Sequence, residues 1–230
     1  MKYIYHHLGL GDHVICNGLT RTLISPTEKY LMFVKNHNLT SVKFMYRDLE
    51  NLNFIVGDDL FVRDYLSTNK ILKENIIVAG FTSYLDKISF DEGFYLQNNV
   101  PFINRWANFK VERNYESEMD LFYKYNVKEG EYVFVHDDNS RGFNIDEKKI
   151  INKNLPVIRP IIGLTDNSFD YCYLMEKSIE SHFIDSSFRL IFDSLQLRNS
   201  DIFYHIKLMN GVIRDPINKS QSKLDFKIID

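Results

Sequence analysis

The chain reads as an α/β protein with two parallel-sheet units in series, and three observations carry that reading. Short apolar or β-branched runs alternate with helical patterns along most of its length, as in a parallel sheet covered on both faces. The first run ends in a glycine turn, Leu8-Gly9-Leu10-Gly11-Asp12-His13, which leads into residues at helical spacing. The alternation lapses and then resumes, dividing the chain into residues 1–109, a linker with a connecting helix at 110–128, and residues 129–230.

Each element follows from local pattern. The run from Tyr3 is a buried first strand, and Val14, Ile15, Leu19 and Leu23 continue a helix whose first turn holds Asp12 and His13. Lys29 to Lys35 is a strand, and Asn36 to Tyr46 a helix with Leu39, Val42 and Phe44 inward. Leu52 to Val56 is a third strand; Gly57-Asp58-Asp59 then starts a helix over Leu60 to Leu66. Asn75 to Gly80 is a fourth strand. Phe90 to Arg113, with Trp106, Arg105, Lys110 and Arg113, breaks the alternation. It suits either a crossover covering one end of the core or a wall of a cleft. Tyr115 to Tyr125 is a helix, acidic in its first half.

The second half begins with the strand Glu131 to His136, followed by the polar loop Asp137 to Gly142. Leu155 to Pro160 is a shorter strand. Asp166 is the expected N-cap of a helix from Ser168 to Ser181. His182 to Asp185 is a strand of minimal length, Ser186-Ser187 open a helix over Phe188 to Leu195, and Asp201 to Ile206 is the last strand. From Asn210 onward the residues read as a surface tail.

The composition, 44% hydrophobic and 14% aromatic over 230 residues, is ample for packed cores, and five Pro with ten Gly argue against long disorder. A net charge of −3 provides no basic field for nucleic acid. Cys16 and Cys172 have no CxxC partner and read as free thiols of a reducing interior. With no apolar leader and no apolar run of about 20 residues, the expected location is the cytoplasm, with at most peripheral membrane contact.

Three stretches carry candidate chemistry. Gly9-Leu10-Gly11 has two glycines of the dinucleotide fingerprint but Val14 in place of the third, which disfavours a nicotinamide site. Asp12 after this turn either caps the helix or acts as a general base, and the two roles are compatible. His13, His6 and His7 lack the carboxylate or cysteine company of metal ligands. At Asp185-Ser186-Ser187 a strand meets a helix start, where free amides, the helix dipole and hydroxyls favour an anion; an ordinary serine cap has the same pattern. His136 and Arg141, at a strand end and in the loop after it, offer donors to a diphosphate, or simply a solvated loop.

The segments HLGLGDHVICNGLTR, YVFVHDDNSRG and FDYCYLMEKSIESHFIDSSFRLIFDSL resemble the two-domain GT-B glycosyltransferases, with heptosyltransferase-like and fucosyltransferase-like enzymes the nearest relatives. The resemblance implies two small Rossmann-like domains whose parallel sheets face across a cleft. It implies an inverting enzyme that moves a sugar from a nucleotide-sugar donor to a hydroxyl of a glycan or glycolipid acceptor, without a bound metal or resident cofactor. Asp12 would be the catalytic base. Gly11, His136, Arg141, Asp185, Ser186 and Ser187 would serve the donor phosphates, and His13, Arg105 and Trp106 are acceptor-side candidates. A nucleotide-sugar epimerase or dehydrogenase, or a non-catalytic binding protein on the same scaffold, are the alternatives. Donor sugar, acceptor and oligomeric state are not readable from these residues.

Overall fold

Four parallel strands build the first sheet: β1 (Lys2–His6), β2 (Tyr30–Val34), β3 (Leu52–Val56) and β4 (Ile76–Ala79), in the order β3-β2-β1-β4. A computed structural model describes residues 1–80, 89–138, 142–209, 212–214 and 222–229, with backbone alone for 207–209 and 212–214. The chain divides into two units, Met1–Glu112 and Arg113–Asp230.

The second sheet is also parallel and holds β5 (Val133–His136), β6 (Val157–Ile158), β7 (Glu180–Phe183) and β8 (Asp201–His205). β9 (Lys207–Met209) and β10 (Val212–Arg214) form a separate antiparallel pair, and β11 (Lys227–Ile229) joins β8 to give the order β11-β8-β7-β5-β6. Both units are Rossmann-like. In the first, strand order reverses between β1 and β4; in the second, between β5 and β7. Such reversals are the switch points where open α/β sheets hold ligands, beyond the carboxyl ends of the strands.

Strand composition explains the sheets. Tyr5, Leu8, Phe33 and Val62 form a buried cluster in the first unit, and Val133, Val135, Ile145, Ile150 and Ile184 form one in the second. On the other face of the second sheet Phe134 and Phe183 meet Phe188 and Phe192. Each such side chain contributes about 1.5–3 kcal/mol on full burial.

Helices depart from the sequence pattern where another element intervenes. The expected continuous helix after the glycine turn is two, α1 (Leu10–Ile15) and α2 (Asn17–Leu23), separated at Cys16. The Tyr95 hydroxyl donates to the Ile15 carbonyl at 2.7 Å and accepts from Leu19 N–H at 3.1 Å. It thereby replaces one rung of the helical ladder, a recognised cause of a break. Gly18 lets the next layer approach: a Cβ there would lie 2.1 Å from the Asn104 carbonyl oxygen.

The helix expected at Asn36 to Tyr46 starts as a 3₁₀ turn at Asn36–Asn38 before α3 (Leu39–Met45). Its buried face is Asn38, Ser41, Val42 and Met45, whereas Phe44 is half-buried under the Arg47 guanidinium. α4 (Asp59–Thr68) begins at Asp58, whose carboxylate accepts the Phe61 amide at 2.8 Å. The stretch after residue 90 holds α5 (Phe90–Gln97) and the single turn α6 (Asn104–Ala107).

α7 (Tyr115–Lys124) belongs to the second unit; its buried Glu118 carboxylate accepts from the Arg113 guanidinium, which also donates to Glu176. The helix expected over Ser168 to Ser181 is a 3₁₀ turn, Ser168–Tyr171, followed by α8 (Cys172–Lys177). Its cap is Asn167 rather than Asp166: the Asn167 side chain accepts the Phe169 amide. β7 starts at Glu180, two residues before the expected strand, because the polar Glu180 and Ser181 are buried and hydrogen-bonded in the sheet. The strand expected over Leu155 to Pro160 has only two paired residues. The tail also corrects the expectation, since β11 lies in the sheet. The buried Asp193 carboxylate of α9 (Ser187–Ser194) accepts Ser222 Oγ and the amides of Lys223 and Leu224, anchoring the approach to β11.

Candidate functional site

At the switch point of the second sheet, two side chains far apart in sequence meet. His136 ends β5, Ser186 follows β7, and His136 Nδ1 is 3.0 Å from Ser186 Oγ. Ser186 is the N-cap of α9, its hydroxyl accepting the Arg189 amide, and Ser187 is the first helical residue. The His136 ring stacks on Phe188 with centroids 4.0 Å apart. Burial lowers the His136 pKa to about 4, against the opposing pull of Asp137 and Asp138. It is therefore a neutral hydrogen-bonding group at pH 7, with one ring N–H at most to donate.

Arg189, one turn into α9, was not singled out from the sequence. Its residue exposure is 7%, and Nη2 donates to Asp185 Oδ1 at 3.0 Å. Its Nε and Nη1 are buried and find no hydrogen-bond partner among the described residues. Asp185 thus positions a guanidinium beside the helix start, and its own negative charge makes it an anchor rather than a phosphate ligand. Arg141 lies outside the described residues. Asp138 and Phe143 pair in an antiparallel bridge, while Asp137 accepts from the Ile145 amide and the Arg159 guanidinium.

The first sheet presents its own switch-point contact. His7, just after β1, is hydrogen-bonded through Nε2 to the carbonyl of Gly80, just after β4. Gly80 has φ of +89°, and a Cβ there would lie 2.6 Å from the His7 ring. After His7 the chain turns through Gly9, the N-cap of α1, into Gly11 and Asp12, both half-buried. The Asp12 carboxylate folds back over this turn, with Oδ2 2.6 Å from where a Gly9 Cβ would stand. A carboxylate at this third helical position complements the helix dipole.

Of the three acceptor-side candidates, two lie in the interior of the first unit and Trp106 is half-buried. His13 is fully buried, edge-to-face with His6 at 4.3 Å. Arg105 is fully buried and ion-paired with Asp91, its guanidinium 4.9 Å from the Trp106 ring. Trp106 packs edge-to-face on Phe102. His13 and Arg105 are thus interior residues of the first unit, and the pattern of a charge next to an aromatic did not separate that outcome from a ligand wall.

Cys16 and Cys172 are free, buried thiols whose pKa values burial pushes well up. Among the described residues no group of three or more His, Cys, Asp or Glu converges as metal ligands would, and no helix is long and apolar enough to cross a membrane. An open depression of about 510 Å³, lined by Glu129, Lys177, Ser178, Arg198 and Asn199, lies at the amino-terminal edge of β7 and β8, away from the switch point. Comparison with protein-family models, with curated proteins and with solved structures gives no match.

Proposed function

We propose that the protein is an inverting glycosyltransferase of the GT-B type, using a nucleotide-sugar donor. The observation that supports this reading is the pairing of His136 with Ser186 at the start of α9, at the switch point of a parallel sheet. Ser187 N–H, Phe188 N–H, the two serine hydroxyls and the positive end of the helix are suited to a diphosphate, and Arg189 adds a buried cation one turn away. These groups would stabilise the departing nucleoside diphosphate as the bond to the anomeric carbon breaks. Asp12 of the first unit is the proposed base, taking the proton from the acceptor hydroxyl as its oxygen attacks.

A thermal-shift screen of nucleoside diphosphates and their sugars tests the reading. A bound donor must raise the melting temperature by mass action, and a set of compounds none of which shifts it would count against donor binding.

A further inference from the structure

A second line of titratable groups runs through the same unit, on the sheet face that carries Val133, Val135 and Ile184. Glu180 opens β7, His182 lies two residues on along the same strand face, and His205 ends β8. Glu180 and His182 are 1% and 0% exposed, and His205 is 5% exposed. Glu180 Oε1 is 2.7 Å from His182 Nε2, and His182 Nδ1 is 2.6 Å from His205 Nε2. The line leads from the amino end of β7 to the carboxyl edge, where open parallel sheets do their chemistry.

The protons on this line follow from the donors around Glu180. Its Oε1 accepts the Ile151 amide at 3.0 Å, and Oε2 accepts the Asn152 amide at 3.3 Å and the Asn152 side chain. Backbone amides can only donate, so Glu180 is the charged acceptor and His182 must carry its proton on Nε2. A neutral His182 then has a bare Nδ1, which bonds a second ring nitrogen only if His205 Nε2 is protonated. His205 is left with a lone pair on Nδ1. The stack of His182 on Phe203, centroids 4.7 Å apart, holds the middle ring in place. The charged groups that face His205 from neighbouring segments are Lys149 and Asp137.

We propose that Glu180 and His182 are positioning residues that lock His205 in one tautomer, making its Nδ1 a proton acceptor for a hydroxyl or other neutral donor group of a ligand at the carboxyl edge of the second sheet. A proton arriving on Nδ1 is stabilised through the two hydrogen bonds by the buried carboxylate, the logic by which a carboxylate orients a catalytic histidine. Glu180 also ties residues 151–152 to β7, which is a structural role. That role alone makes no demand on the tautomer of His205. The inference does not depend on the glycosyltransferase reading.

Long-range proton–nitrogen correlation spectra of the ¹⁵N-labelled full chain, assigned by single histidine substitutions, test it at neutral pH. The expected result is a protonated Nε2 and a bare Nδ1 on both His182 and His205. A His205 protonated on Nδ1 overturns the proposal. In Glu180→Gln the tautomer of His205 should become mixed, and an unchanged spectrum counts against the relay. Should that variant fail to fold, the wild-type pH titration decides instead. Coupled rings move together in shared transitions, whereas independent curves overturn the inference. Diethyl pyrocarbonate, which acylates a bare ring nitrogen, should modify His205 and spare His182; an untouched His205 shows that no ligand reaches it.

Discussion

Acid should weaken the first unit well before its carboxylates titrate, because His6 and His13 are buried against each other as neutral rings. His6 is 2% exposed, and burial, the largest influence, lowers its pKa from 6.5 to about 4; burial also lowers that of His13. A histidine with a lowered folded-state pKa binds protons more readily when unfolded. Its contribution is therefore intact above pH 6.5 and is lost as the pH falls toward 4. Between pH 7 and pH 5 the His6 values correspond to a loss of about 2 kcal/mol, worked from about 1.4 kcal/mol per pKa unit, and His13 adds in the same direction. Trp106 is the single tryptophan and lies in the first unit, so urea unfolding followed by its fluorescence reports on this unit. The His6→Leu variant should lose a hydrogen bond to the His7 carbonyl at every pH, worth about 1 kcal/mol, and should flatten the curve between pH 7 and 5. His13→Leu removes a ring whose two nitrogens have no hydrogen-bond partner among the described residues, and it too should flatten the curve. A wild-type stability that changes by less than about 0.5 kcal/mol across this interval would refute the assignment of neutral, dehydrated rings.

Tyr95→Phe deletes the hydroxyl that bridges Ile15 and Leu19, and should cost about 2 kcal/mol by the same fluorescence assay; a negligible change would mean that α1 and α2 join by their own hydrogen bond. Gly18→Ala drives a methyl group into the Asn104 carbonyl and should cost about 3 kcal/mol, read as a fall in melting temperature, whereas an unchanged melt would show that α6 can retreat. Ser187→Asp places a carboxylate at the first position of α9, where the helix tolerates it but a phosphate does not. The chain should stay folded and lose at least about tenfold in affinity for a nucleoside diphosphate by calorimetry, and undiminished affinity contradicts the phosphate assignment. Asp12→Ala should abolish sugar transfer while leaving donor affinity intact; retained turnover rules out Asp12 as the base.

Local pattern determined a great deal here. Alternating apolar strands and helical segments specified two parallel sheets, because a strand buried on both faces needs a nearly continuous apolar run, and residues 30–34 and 133–136 supply it. The turn at Gly9 and the serine start of α9 were legible for the same reason: backbone turns and helix caps demand particular residues within a few positions. Tertiary structure decided what depends on partners far along the chain. Glu180 and Ser181 look like the end of a helix until Asn152, His182 and Asn199 satisfy their polar atoms, which turns them into a buried strand. Arg105 looks like a ligand-facing cation until Asp91 neutralises it in the interior, and Tyr95 breaks a helix some 80 residues away in sequence. His136 and Ser186 stand 50 positions apart, and only the pairing of β5 with β7 brings them within hydrogen-bond reach. Burial and long-range hydrogen bonding set the role of a polar residue, and neither is a property of its neighbours in sequence.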